Sequence, residues 1–121
     1  MAMFLERLNN LLGEIDGAVA LSLVADDGIP VESVAADENL DLEALAAELM
    51  SQVQAIGSNH DELGVGEVEQ FSMTTDRFTV MISEVAPGYF LLLVVGSGSL
   101  VGQARFKLRV AGLGFQEDLV D

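Results

Sequence analysis

Cysteine and tryptophan are absent from this 121-residue chain, and histidine occurs once. Without cysteine there are no disulfides, thiolate zinc sites, iron–sulfur clusters or cysteine nucleophiles. A single histidine cannot build a multi-histidine metal site. Cations are scarce as well: five Lys and Arg stand against 20 Asp and Glu, a formal net charge of -15. Phosphate binding requires clustered Lys and Arg, so nucleic acid is excluded as a partner, and an anionic membrane surface with it. No apolar run approaches the ~18 residues of a membrane span, so membrane insertion is not expected. The first ten residues lack the basic-then-apolar pattern of a signal peptide. What is present is hydrophobic material. Half of the residues are apolar, enough for a packed core. A single cytoplasmic domain over residues 1–121 is expected.

The charge is unevenly distributed. Residues 1–103 hold 17 acids and only Arg7 and Arg77 as bases, whereas Arg105, Lys107 and Arg109 lie together near the C-terminus.

Phe4, Leu5, Leu8, Leu11, Leu12 and Ile15 recur at helical spacing and predict an amphipathic first helix. Ala18 to Ala25 is a continuous apolar run and reads as a strand covered on both faces. Asp26-Asp27-Gly28 then signals a hairpin into Ile29–Ala36, where Pro30 suits an edge strand. Asp41 is placed to cap a long helix whose stripe Leu42, Leu45, Leu49, Val53 and Ile56 would lie on the sheet; His60 and Leu63 would continue it. A shoulder of Ala46, Met50 and Gly57 flanks that stripe. Runs at 67–73, 78–84 and 89–95 read as three further strands, the first polar and edge-like, the last apolar on both faces. The final helix carries Leu100, Val101, Ala104, Leu108, Ala111 and Phe115 on one face and Phe106, Val110 and Leu113 on another, with Arg105 and Arg109 between. The pattern predicts an α+β fold with helices on both sides of a mainly antiparallel five-stranded sheet.

No chemical site assembles from the motifs. The glycine-rich stretch from Gly96 to Gly102 follows a strand and opens a helix, but its G-x-G-x-x-x-G spacing is followed by no second parallel strand and no P-loop lysine. It reads as a flexible turn. Asp37, Asn39, Asp41 and Glu48 match calcium-loop positions, yet Leu42 stands where the loop needs glycine. His60 has no nucleophile or orienting carboxylate placed to serve it. No catalytic residue, metal or cofactor is expected.

The element order, with FLERLNNLLGEIDGAVALSLVADDGIPVES, LEALAAELMSQVQAIG and FLLLVVGSGSLVGQARFKLRVAG, resembles the roadblock/dynein-light-chain family over nearly the whole chain. The resemblance implies a three-layer α/β/α, profilin-like domain in which the first and last strands are central. It also implies a homodimer formed through the middle helix and third strand. Its members are non-enzymatic regulators or scaffolds of Ras-like small GTPases, with a bacterial gliding-motility branch. On that pattern the dimer interface would include Ala46, Met50, Gly57, Glu67, Glu69 and Phe71, with Ala46 and Met50 facing the same helix of a second copy. Such an interface would bury about 1,600 Å². Glu67 and Glu69 would place like charges across the two-fold, which is destabilising. Arg105 and Arg109 are candidate partner contacts, against the alternative of local pairing with surface carboxylates. Two other functions share this outline: a structural dimerisation scaffold with no GTPase partner, and a small-molecule sensor.

Overall fold

The computed structural model describes residues 2–36, 39–57 and 60–119. Helix α1 (Ala2–Glu14) leads into β1 (Ala18–Ala25) and β2 (Pro30–Ala35). Helix α2 (Leu42–Gly57) and the short α3 (His60–Leu63) follow. Strands β3 (Gln70–Thr74), β4 (Phe78–Ala86) and β5 (Tyr89–Gly96) lead to α4 (Val101–Leu119). The five strands form one antiparallel sheet in the order β2-β1-β5-β4-β3. The two apolar strands are central, because only there do both faces of a strand find cover.

Pleating divides the core in two. On one face Leu21, Leu23, Met81, Leu91, Leu93 and Val95 pack against α1 and α4 through Leu8, Leu11, Leu108 and Phe115. On the other, Ala20, Val24, Val80, Ile82, Leu92 and Val94 pack against α2. The result is three layers, with helices α1 and α4 sharing a side. Those two helices are fastened together near their ends: Phe4 stacks on Phe115 at 6.0 Å, and the Arg7 guanidinium lies 5.7 Å from the same ring. Arg7 also donates to the Gly114 carbonyl at 2.9 Å, and Lys107 Nζ donates to the Glu14 carbonyl.

The middle helix begins where expected. Asp41 Oδ1 accepts the Ala44 N–H at 3.1 Å, an N-cap that satisfies one of the first turn's free donors. Residues 42–57 form one helix, and His60–Leu63 form a separate short turn of helix instead of continuing the stripe. Of the calcium-loop residues, Asp37 lies outside the described residues, and Asp41 is occupied as this cap. The polar run at 67–73 is also shorter as a strand. Pairing with β4 starts at Gln70↔Ser83, so Glu67 and Glu69 precede β3. Gly64 and Gly66 upstream have φ of 69° and 83°, left-handed conformations that interrupt the chain before the strand.

The β1–β2 connection is a three-residue loop. Gly28 N–H donates to the Ala25 carbonyl at 2.9 Å, and Ala25 N–H donates to the Ile29 carbonyl at 3.1 Å. Asp27 keeps a negative φ while Gly28 sits at +87°, so the loop is a type I turn closed by a left-handed glycine. A β-carbon on Gly28 would stand 3.2 Å from Ala47 Cα on α2. Gly28→Ala therefore combines an unfavourable φ with a backbone contact. We expect a loss of about 2 kcal/mol in urea unfolding. An unchanged midpoint would contradict this role for the turn.

Candidate interaction surface

The described residues place no group of three or more His, Asp or Glu side chains where they could hold a metal ion. No described helix is long and apolar enough to cross a membrane. The Gly96–Gly102 stretch forms the turn into α4, with Gly98 at φ +86° and a Ser99 N–H donating to the Gly96 carbonyl at 3.2 Å. The side chain of His60 lies outside the described residues. Two surfaces stand out among the described residues.

The first surface is the flank of α2 and the sheet beside it. Ala46 is 0% exposed and Met50 2% exposed, both within a single copy of the chain. They join Leu49 and Val53 on the sheet. The shoulder assigned by sequence to a second copy is thus core, and the division of α2 into sheet stripe and partner shoulder is corrected. The physical reason is the width of the apolar arc. From Leu45 round to Met50 it covers about 140° of helix surface, and its centre, not its numerically longest row, lies on the sheet. Ala46 sits near that centre, where a methyl group lets the helix axis come close to β1 and β2.

What remains half-buried is the opposite edge of the arc. Leu45 and Ile56 fall on nearly one line of α2, about three turns apart. Beside them, on the same side of the sheet, Val68, Phe71 and Phe78 are partly covered and Met73 is 39% exposed. The other flank is closed: Gln54 Nε2 donates to the Asp26 carbonyl at the β1–β2 hairpin. Helix α2 therefore leans toward β1 and leaves an apolar shelf over β4 and the edge strand β3. Gly57 ends α2 half-buried, on the Ala46 and Met50 side of the arc and not on the shelf side.

Glu67 and Glu69 are exposed and lie just before that edge. The Glu69 carbonyl accepts the Glu84 N–H at 2.9 Å, which ties the approach segment to β4. Partial desolvation of the Glu84 carboxylate holds its pKa above the ordinary glutamate value, and the like charges of Glu67 and Glu69 push it the same way. The linkage follows directly. A raised folded-state pKa means a stabilising contribution that is complete below the unfolded pKa and is lost as pH rises through the folded one. At neutral pH the ionised Glu84 is a small net penalty, because its side chain is largely exposed. Glu84→Gln should raise Tm at pH 7 by roughly 2 °C. That advantage should vanish below about pH 4. A gain independent of pH would show that charge is not its source.

The second surface is α4. Its inner face, Ala104, Leu108 and Phe115, is core. Arg105 and Arg109 lie on the flank that faces β3 and β4. Arg105 Nη2 donates to Ser72 Oγ at 3.5 Å, while its Nε is buried without a hydrogen-bond partner. Arg109 is exposed on the rim of a groove of about 530 Å³, opposite Glu69 and Glu84. Phe106, Val110 and Leu113 face outward, 66%, 51% and 64% exposed.

The sequence pattern places Phe71, Glu67 and Glu69 near the third strand and reveals the outward stripe of α4. It does not reveal the role of Leu45 and Ile56, because periodicity assigns both to the sheet.

This architecture is that of the roadblock/LC7 domains. The roadblock/LC7 domain from Streptomyces avermitilis matches with a TM-score of 0.86 at 15% identity, over 97% of this chain and 98% of that one. MglB from Myxococcus xanthus matches with a TM-score of 0.86 at 17% identity, over 98% and 96%. MglC from the same organism is 28% identical over 95% of this chain and 98% of its own, with a TM-score of 0.70. No family model and no curated protein matches the sequence.

Proposed function

We propose that this chain is a non-enzymatic, cytoplasmic homodimer that acts as an adaptor or regulator of a Ras-like small GTPase of the gliding-motility type. It would work by surface contact that biases the GTPase's switch conformations, without contributing a catalytic side chain. The observation that carries the reading is the apolar shelf of Leu45, Ile56, Phe71, Met73 and Phe78 beside an unpaired edge strand. A second copy laid across this shelf would extend the cover of the sheet and seal an edge that otherwise invites uncontrolled pairing. Because Glu67 and Glu69 precede β3, their carboxylates need not face each other in the ladder of such a dimer.

The fold likeness to MglB, which in Thermus thermophilus is described as a gliding protein, supports the choice of system. The 28% identity to MglC points the same way. A neighbour described as MglB with a tetrameric arrangement supports assembly from more than one copy. Binding of the purified chain to a Ras-like small GTPase from the same source, loaded with a GTP analogue or with GDP, tests the proposal. Preference for one nucleotide state by about tenfold or more is expected. Equal affinity for both states, or no binding to either, would contradict regulation through the switches.

A further inference from the structure

Helix α4 presents an apolar stripe that no other described element covers. Phe106, Val110 and Leu113 follow one another at spacings of four and three, so they form a single row along nearly two turns. Leu100, grouped by the sequence with the inner face, precedes the helix and is 65% exposed, but it lies off this row. A purely solvent-facing helix would carry polar residues there. The row also runs through the basic part of an acidic chain: Arg105, Lys107 and Arg109 are three of its five cations and lie within this stretch. Lys107 is engaged with α1. Arg109 is exposed and makes no ion pair among the described residues, while the Arg105 guanidinium has the long contact from Nη2 to Ser72 and a buried Nε, so Arg109 is the more available of the two cations.

We infer that the outer face of α4 is a docking site for an acidic amphipathic helix of another protein. Its apolar side chains would seat on Phe106, Val110 and Leu113, and its carboxylates would pair with Arg105 and Arg109. Charge selects this occupant. A second copy docked α4 to α4 about a two-fold near Val110 would bring the two Arg109 side chains together, a like-charge contact that opposes association. The buried stripes of α1 and α2 are spent on the sheet, and the half-buried edge of α2 lies on the opposite side of the sheet from α4. The site lies on the opposite side of the sheet from the shelf of α2, so it is separate from the proposed dimer contact.

The probe is a fluorescein-labelled helical peptide of about 18 residues, with Leu at three- and four-residue spacing and Glu on both flanks. A second peptide has every Glu replaced by Lys. Anisotropy titrations with the full chain should give saturable binding of the Glu peptide that weakens with added salt, and binding of the Lys peptide at least about tenfold weaker. Arg105→Glu with Arg109→Glu should weaken the Glu peptide about tenfold or more, and Phe106→Ser with Leu113→Ser should do the same. All four positions are outside the buried core, so circular dichroism should show wild-type folding. Absence of saturable binding by the Glu peptide, equal binding of the two peptides, or insensitivity to either pair of substitutions would overturn the proposal. A solution mass that falls when Phe106 and Leu113 are changed to Ser would assign the face to a second copy and overturn it equally.

Discussion

Met50→Asp should abolish folding. Met50 is 2% exposed and lies between α2 and the sheet, among Ala46, Leu49, Val53 and the α2-facing side chains of β1 and β5. Its Cβ is also among the atoms closest to the Gly28 turn, so no loop opens there to admit water. An aspartate at this point has no cation to pair with: α2 holds neither Lys nor Arg, and the packed cluster around it is apolar. Leaving an uncompensated carboxylate in such a site costs about 3–5 kcal/mol, and the lost methionine packing adds about 2–5 kcal/mol. That is most of the stability of an ordinary domain. The far-ultraviolet circular dichroism should show no cooperative melt above 25 °C. A folded, monomeric Met50→Asp protein would instead place Met50 on a partner-facing surface and restore the division of α2 that the structure rejects.

The second large effect concerns the shelf. Ile56→Asp combined with Met73→Asp should give a chain that melts within a few degrees of wild type but no longer self-associates. Ile56 is half-buried and Met73 is 39% exposed, so neither carboxylate is trapped in the core of one copy. In a dimer built on the shelf, both would be desolvated among apolar groups and would face like charges across the two-fold. Two central positions of this kind should raise the dissociation constant about a hundredfold or more. Wild-type association in the double variant would remove the shelf from the interface. A double variant that fails to fold would place these two side chains in the core and contradict the exposed shelf itself.

Much of the fold was legible in the sequence because burial and periodicity coincide in the central strands. Ala18–Ala25 and the run from Phe90 to Val95 are apolar without alternation, and both lie in the middle of the sheet with helices on either side. The arrangement of α4 was largely readable: two apolar rows on opposite faces, one buried around Ala104, Leu108 and Phe115 and one exposed, although Leu100, which periodicity puts in the buried row, lies open instead. The division of α2 was not. A broad apolar arc shows that a helix has a wide buried face, but the point of contact depends on how the helix leans, and here the lean is set by the hairpin through Gln54 and Gly28. The start of β3 was obscured for another reason. Glu67, Val68 and Glu69 alternate as an edge strand does, yet the paired register begins at Gln70, with the Glu69 carbonyl as the one tie of that segment to β4 among the described backbone bonds.

The acidity of the chain has a consequence for both surfaces. Across residues 1–103 only two cations oppose 17 acids, so any partner approaching those elements meets a negative field, while α4 offers clustered positive charge. Two distinct partners, one held by apolar area at the α2 flank and one steered by charge to α4, are compatible with a single small domain. That division suits an adaptor. It requires that the α2 flank be occupied by a second copy, because a shelf left open in a monomer would be an aggregation liability.

Light scattering coupled to size-exclusion chromatography on the wild-type chain tests this most directly. One chain has a mass of 12.8 kDa. A particle of twice that mass is predicted, persisting on dilution to about 1 µM. A mass of 12.8 kDa even at about 100 µM would contradict the two-copy assembly on which the proposed regulation rests.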